Sequence, residues 1–288
     1  MINPDDMDAQ QAAELLRWQV EMGADEAIGE EPVDRTRRKE KAAAPSPAQS
    51  SAPPPAASPA PPSPAPRAAT PATPARPARA DEGQAARAAR CNTLEEIFAA
   101  LDAMRDFPLR RTAANTVHTA GDPEARVMLI GEAPGRDEDL QGEPFVGRSG
   151  QLLDRMLAAI GLSRKAEGGE VPVLISNTIF WRPPGNRKPS EAEAAHCLPW
   201  LIRTIEIVRP EIIVCLGATP AQRLSGRTQG ILRLRGQWLE CELGERRIPM
   251  LPTLHPAYLL RQPLQKRLAW RDFISLKLRM EEMGLTGQ

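Results

Sequence analysis

The sequence has no apolar run approaching the roughly 18 residues needed for a helix to cross a bilayer, so no membrane span is expected. Its opening, Met1-Ile2-Asn3-Pro4-Asp5-Asp6, is acidic and lacks the hydrophobic stretch of a secretory leader. Cysteine is scarce: Cys91, Cys197, Cys215 and Cys241 do not form a small disulfide framework, and the expected location is cytoplasmic. An excess of charge of either sign is also missing, with 37 Lys and Arg against 37 Asp and Glu. Through Arg90 there are 11 basic and 13 acidic residues, which leaves 26 and 24 beyond it, a net of +2. That balance gives no sign of a surface coated in basic charge, but it leaves room for a small basic patch beside an active site.

What is present is unevenly distributed. Between Pro45 and Pro77 there are 13 prolines in 33 residues, no aromatic residue, and only Arg67 and Arg76 as charges. Such a stretch cannot bury enough apolar surface to offset the entropy of ordering its backbone. Residues 42–90 therefore read as a Pro/Ala-rich disordered linker. In residues 1–41, Leu15, Trp18 and Met22 share one helical face behind a cap at Asp5 or Asp6. Two readings stand for this tail: disorder, or a short tethered helix that docks on a protein partner. The folded part is expected over 91–288, 198 residues, a size suited to one domain and read as a monomer.

Within it, helical and strand patterns alternate. Asn92 or Thr93 caps a helix through about 106. Continuous apolar runs at 126–131, 172–176, 211–217 and 249–253 read as strands, and helices are expected over 149–160, 190–208, from 219, and over 264–283. Continuous apolar strands separated by helices predict an α/β fold, a three-layer α/β/α sandwich around a central, mainly parallel sheet. Ligands bind such sheets outside the carboxyl ends of the strands. Three informative loops each follow a strand and should meet on that edge.

The first loop runs Gly131-Glu132-Ala133-Pro134-Gly135-Arg136-Asp137-Glu138-Asp139 and closes with Pro144-Phe145-Val146-Gly147-Arg148-Ser149-Gly150. Gly131 and Gly135 let backbone approach a ligand closely, and the segment around Arg148 opens a helix N-terminus suited to an anion. Four carboxylates in eight positions suggest that one faces a substrate as a base or charge stabiliser, against the plainer reading of a solvated acidic loop. The second loop begins at Asn177, whose amide can offer a donor and an acceptor to a planar edge or simply cap the turn. Arg182, Arg187 and Lys188 follow on a proline-stiffened stretch, placed to hold phosphates. The third is Leu254-His255-Pro256-Ala257-Tyr258, carrying one of three histidines.

Taken together, Gly131-Glu-Ala-Pro-Gly135 with Pro144-Phe-Val-Gly147, Asn177 with Arg182-Pro-Pro-Gly-Asn-Arg187, and His255-Pro-Ala-Tyr258 resemble the family 4 uracil-DNA glycosylases. The likeness spans about 107–273. It implies a uracil-DNA glycosylase-like fold and an enzyme of base excision repair that flips deoxyuridine out of uracil-containing DNA and hydrolyses its N-glycosidic bond. Phe145 would stack on uracil, and Asn177 would bond the edge that separates uracil from cytosine. His255 would stabilise the departing base, Glu132 would orient water or support the cationic sugar, and Glu138 would be a second acidic contributor. Tyr258 and Arg261 would lie in the segment that enters the minor groove, and Arg148, Arg182 and Arg187 would meet the backbone. No lysine sits where a Schiff base could form, so a monofunctional enzyme is implied. Two other readings stay open: a protein that binds or senses uracil in DNA without turnover, and a glycosylase for another deaminated base such as hypoxanthine.

The resemblance breaks at one place. The family usually carries a 4Fe-4S cluster on four cysteines, and at the matching positions this chain has Met104, Phe107, Trp181 and Cys197. Cys91 is the one substitute ligand within reach in sequence. Four thiolates are the usual requirement. The expectation is therefore no cofactor, with an apolar plug where the cluster would sit; a cluster using Cys197 and Cys91 is the alternative.

Overall fold

The computed structural model describes residues 80–286. The expectations for 1–41 and for most of the linker lie outside the described residues. Helix α1 (Ala80–Ala88) falls inside the stretch read as linker, so the folded part starts earlier than Cys91. It is alanine-rich, and its composition resembles the linker, but no proline follows Pro77 to stop a helix there. Its docking is specific: Ala88 is buried, and Gln84 Oε1 accepts a bond from Trp200 Nε1 at 3.0 Å.

After it come α2 (Leu94–Asp102), α3 (Pro108–Thr112), β1 (Ala120–Gly121), β2 (Val127–Gly131) and α4 (Arg136–Gln141). The chain continues through α5 (Arg148–Ala158), β3 (Leu162–Ser163), β4 (Val171–Asn177), α6 (Glu191–Val208) and β5 (Ile212–Leu216). It ends with α7 (Ala218–Ser225), α8 (Ile231–Leu234), β6 (Leu239–Leu243), β7 (Arg246–Thr253), α9 (Pro256–Arg261) and α10 (Lys266–Glu282). Single 3-10 turns at Pro184–Asn186 and Pro263–Gln265 punctuate two loops.

The strands lie in the order β1-β4-β2-β5-β7-β6, with β3 beside β4. The four central strands β4, β2, β5 and β7 are mutually parallel, and only the outer β1 and β6 run antiparallel. Alternate side chains of each strand go to opposite faces. Met128, Ile130, Leu174, Ile213 and Cys215 share one core with Ile97, Trp200, Leu201 and Ile205 of α2 and α6. Val127, Leu129, Val173, Ile175 and Val214 share the other with Leu153 and Leu157 of α5 and Phe273 and Leu276 of α10. This is the three-layer α/β/α sandwich that the strand pattern predicts. The β6 strand was not expected, although Leu239, Cys241 and Leu243 alternate with Glu240 and Glu242 before Gly244, whose φ of 58° makes the turn.

Local chemistry fixes the element ends. Thr93 accepts from the Glu96 N–H at 3.2 Å to cap α2. At α6 a reciprocal box forms: Ser190 Oγ accepts from Glu193 N–H at 3.2 Å, and the Glu193 carboxylate accepts from Ser190 N–H at 2.7 Å.

One buried knot ties β7 to the last helix. Asp272 is 1% exposed and accepts from Thr253 Oγ1 at 2.7 Å and Arg235 Nε at 3.1 Å, with a second bond from Arg235 Nη2. Thr253 stands two residues before His255, so this carboxylate anchors the third loop. Removing one member of a buried ion pair leaves the other charge uncompensated. Asp272→Ala should therefore lower the unfolding free energy by about 3 kcal/mol in a urea titration; a loss below about 1 kcal/mol would show that Arg235 regains its hydration.

Candidate active site

The β2–β4 register places Gly131 directly beside Asn177 at the carboxyl edge of the sheet. This pairing makes the base of a slot. A Cβ on Gly131 would lie 2.4 Å from Asn177 Oδ1 and 2.7 Å from the Phe145 ring, so only glycine leaves the space open. Asn177 is 1% exposed, and its Oδ1 has no hydrogen-bond partner among the described residues. An unsatisfied buried acceptor costs about 1–3 kcal/mol, a cost that a ligand N–H can relieve.

Phe145 forms the wall. Its φ of 56° is rare for an aromatic residue, and conformations of this kind cost about 1–3 kcal/mol unless the surroundings impose them. Gly150 makes room for it, since a Cβ there would fall 1.7 Å from the Phe145 carbonyl oxygen. Across the slot stands His255, its ring centroid 5.5 Å from that of Phe145.

His255 also caps α9. Its Nδ1 accepts from the Ala257 N–H at 3.1 Å, which places the ring proton of the neutral form on Nε2. Burial pushes its pKa down to about 4, and the nearby Arg261 cation adds to the effect. The imidazole is therefore a neutral N–H donor at physiological pH. Gly217, with φ 107°, closes the β5 turn against it; a Cβ there would sit 3.5 Å from His255 Cβ.

The four carboxylates of the first loop separate into different tasks. Glu132 lines the cavity, and its Oε1 accepts from Thr219 Oγ1 at 2.9 Å. Thr219 stands on α7 after β5, and sequence reasoning missed it because the contact is purely tertiary. Glu138 also lines the cavity. Its two oxygens accept the Gly135 and Gly147 N–H groups, each at 3.1 Å, so it staples the two halves of the loop. Asp139 is likewise taken by the backbone N–H groups of Ala114 and Asn115 at 2.9 and 3.3 Å.

These groups surround a cavity of about 470 Å³. Glu132, Gly135, Glu138, Phe145, Asn177, Arg187, His255 and Arg261 line it, together with Ser149 and Lys188. Gly131 lies beneath Phe145 and Asn177. Arg148, Arg182 and Tyr258 are outside the lining: Arg148 is exposed at the start of α5, and Tyr258 is partly buried against the small cluster of Leu152, Leu254, Leu259 and Ala269. Two of the three cations of the second loop have partners within the chain. Arg187 is committed to a two-pronged pair with Glu193 at 2.8 and 2.6 Å, which holds that carboxyl at about 2. Arg182 Nε is bonded to Asn186 Oδ1 at 2.7 Å. Sequence reasoning also passed over Leu264, which is 85% exposed in the turn after α9.

A parallel-sheet edge with an amide-floored, aromatic-walled slot, a carboxylate and a neutral imidazole defines an α/β protein built to enclose a planar ring. Residues 118–278 match the Uracil DNA glycosylase superfamily, and the chain belongs to it. It is 38% identical over 185 residues to the Type-4 uracil-DNA glycosylase of Archaeoglobus fulgidus, an alignment covering 63% of this chain and 90% of that protein. Against the Type-4 uracil-DNA glycosylase of Thermotoga maritima it is 39% identical over 155 residues, 54% of this chain and 76% of that protein. It is also similar to the Type-5 uracil-DNA glycosylase of Thermus thermophilus, 36% identical over 114 residues, 37% of this chain and 50% of that protein.

The residues at the cluster positions do not fit four-thiolate ligation. Met104, Phe107, Trp181 and Cys197 all belong to one packed hydrophobic core, so one thiol stands where four would be needed. Phe107 stacks on His196 with centroids 4.1 Å apart and planes at 8°, and it meets Trp181 at 5.2 Å. Trp181 Nε1 is satisfied by Thr116 Oγ1 at 3.1 Å. Complete burial raises the Cys197 thiol to about 12, and Cys91 is also raised, chiefly by burial.

If burial and Arg261 hold His255 neutral, an NMR titration of its ring should give a midpoint near 4, with no change between pH 5 and 8. A midpoint above 6 would show an accessible, charged imidazole instead.

Proposed function

We propose that this chain is a monofunctional uracil-DNA glycosylase, acting as a monomer to hydrolyse the N-glycosidic bond of a flipped deoxyuridine and leave an abasic site. One observation carries the reading above the others: the buried Asn177 Oδ1 has no partner among the described residues and faces a slot walled by Phe145. Uracil presents N3–H to that oxygen and O4 to the amide nitrogen. Cytosine presents an acceptor and an amino group at the same positions, so each contact becomes repulsive.

The chemistry divides between two groups. As the C–N bond lengthens, positive charge grows on the sugar and negative charge on the base. His255 Nε2–H donates to the uracil oxygen where that negative charge gathers. A fixed donor of this kind is worth roughly 3–4 kcal/mol, and a neutral one donates without passing its proton to the leaving group. Glu132, aligned by Thr219, orients the attacking water or supports the sugar cation. Glu138 is a positioning residue for the loop that carries Glu132 and Phe145.

Extrusion of the base costs a few kcal/mol, which stacking on Phe145 and the two edge contacts offset. Arg148, Lys188 and Arg261 meet the backbone around the mouth, with Arg182, bonded to the neutral Asn186 amide, and Arg187, paired with Glu193, contributing beside them. Leu264, exposed beside Arg261, is suited to fill the gap that the extruded base leaves.

The direct test uses a uracil-containing oligonucleotide treated with protein and then alkali. Wild type should give alkali-dependent cleavage. Glu132→Ala should cut the rate by about 100-fold or more, and Asn177→Asp should weaken uracil excision while raising activity on cytosine. Retention of the oligonucleotide without cleavage would favour a uracil sensor, and faster release of hypoxanthine than uracil would favour the other base.

The packed apolar side chains of Met104, Phe107 and Trp181 at three of the four ligand positions support activity without a cluster. Protein purified from iron-replete cells should be colourless, carry well under one iron per chain, and excise uracil at full rate. Four irons per active chain would overturn this.

A further inference from the structure

We propose that Arg164, a residue outside the cavity, is the positioning residue that sets the base-stacking wall by clamping the backbone under Phe145. The inference rests on the function proposed above and adds a group to it. Arg164 follows β3, and its side chain is only 7% exposed. Its guanidinium donates to the Pro144 carbonyl at 2.8 Å, to the Phe145 carbonyl at 3.1 Å and to Asp154 Oδ1 at 2.8 Å, with Glu143 at 3.9 Å.

Those contacts explain the wall's odd backbone. In extended chain, successive carbonyls point to opposite sides. Here two consecutive carbonyls converge on one guanidinium, and the residue that turns the second one is Phe145, with φ 56°. A planar fork of fixed N–H directions can satisfy both carbonyls and a carboxylate together, which a lysine ammonium cannot do with the same geometry. Gly150 supplies the complementary space on the other side of the same carbonyl. The left-handed turn aims the ring at the slot rather than along the chain. Without the clamp, the Phe145 and Pro144 carbonyls lose their shared donor, and the backbone that holds the ring 5.5 Å from His255 is loosened.

A base slot is sensitive to such slack, because a misplacement of about 1 Å can cost about 100-fold in rate. Arg164→Ala should still bind undamaged duplex with wild-type affinity, but its saturating single-turnover excision of uracil should fall by about 10- to 100-fold. Millimolar methylguanidinium should restore part of that loss in Arg164→Ala and none in Phe145→Ala. A role limited to overall stability would shift the melting temperature without this rescue. Should Arg164→Ala fail to fold, Arg164→Lys provides the reading: a loss of about tenfold or more, with a cooperative melt, supports the clamp. Wild-type excision by either folded Arg164 variant, while Phe145→Ala is impaired, would overturn the clamp and leave the glycosylase reading intact. A wild type that excises no uracil would overturn both.

Discussion

The site depends on one pairing in the sheet, Gly131 of β2 opposite Asn177 of β4. Because the two strands are parallel, both chains leave the sheet at the same edge, and their next residues enter the same space. Because one partner is glycine, the amide of the other can stand upright into a cleared volume. Slip the register by one residue and Asn177 would turn to the opposite face, among the side chains of the core. The burial of Val127 to Ile130 and of Val173 to Ile175 on both faces prevents that slip. The specificity of the slot is thus held by the same apolar packing that stabilises the domain.

Around that floor the charges are kept apart. His255 is held neutral by burial and by the nearby Arg261 cation, while Glu132 lines the cavity with one oxygen bonded to Thr219. Asp137, Glu138 and Asp139 fall beside Glu132 in sequence, yet two of them are consumed by backbone N–H groups. Such bonds fix loop shape at the cost of reactivity. Arg187, Lys188 and Arg261 stand along the cavity, where the proposed function has the backbone of a nucleic acid pass. On the proposed function, the arrangement separates recognition of a neutral ring, inside, from attraction of a polyanion, outside.

Much of this was legible in the residues. Continuous apolar runs gave the central strands, their separation by helices gave the layers, and strand-following loops brought Glu132, Asn177 and His255 to one edge. Three kinds of feature were not legible. Helix α1 was hidden because alanine serves both linkers and helices, and only Trp200 and the α6 surface decide between them. Glu138 looked like Glu132 because a carboxylate's partners are invisible until Gly147 is folded back onto it. Arg164 and Thr219 left no motif at all: each acts across a turn or a strand crossing, 19 and 87 positions from its partner. Sequence spacing reports residues on one element well and contacts between elements poorly.

The left-handed backbone at Phe145 has a kinetic consequence. Its unfavourable conformation is imposed when the domain folds, by the space at Gly150, the surrounding core and the Arg164 guanidinium, before any nucleic acid is present. A flexible wall would have to be ordered at each encounter, adding a slow loop-closing event and an entropic penalty to every turnover. Here the wall is standing when the base arrives. The speed of damage search is then governed by how often a base leaves the stack and how long it stays out, so weakly paired bases are sampled first by the physics of the duplex itself.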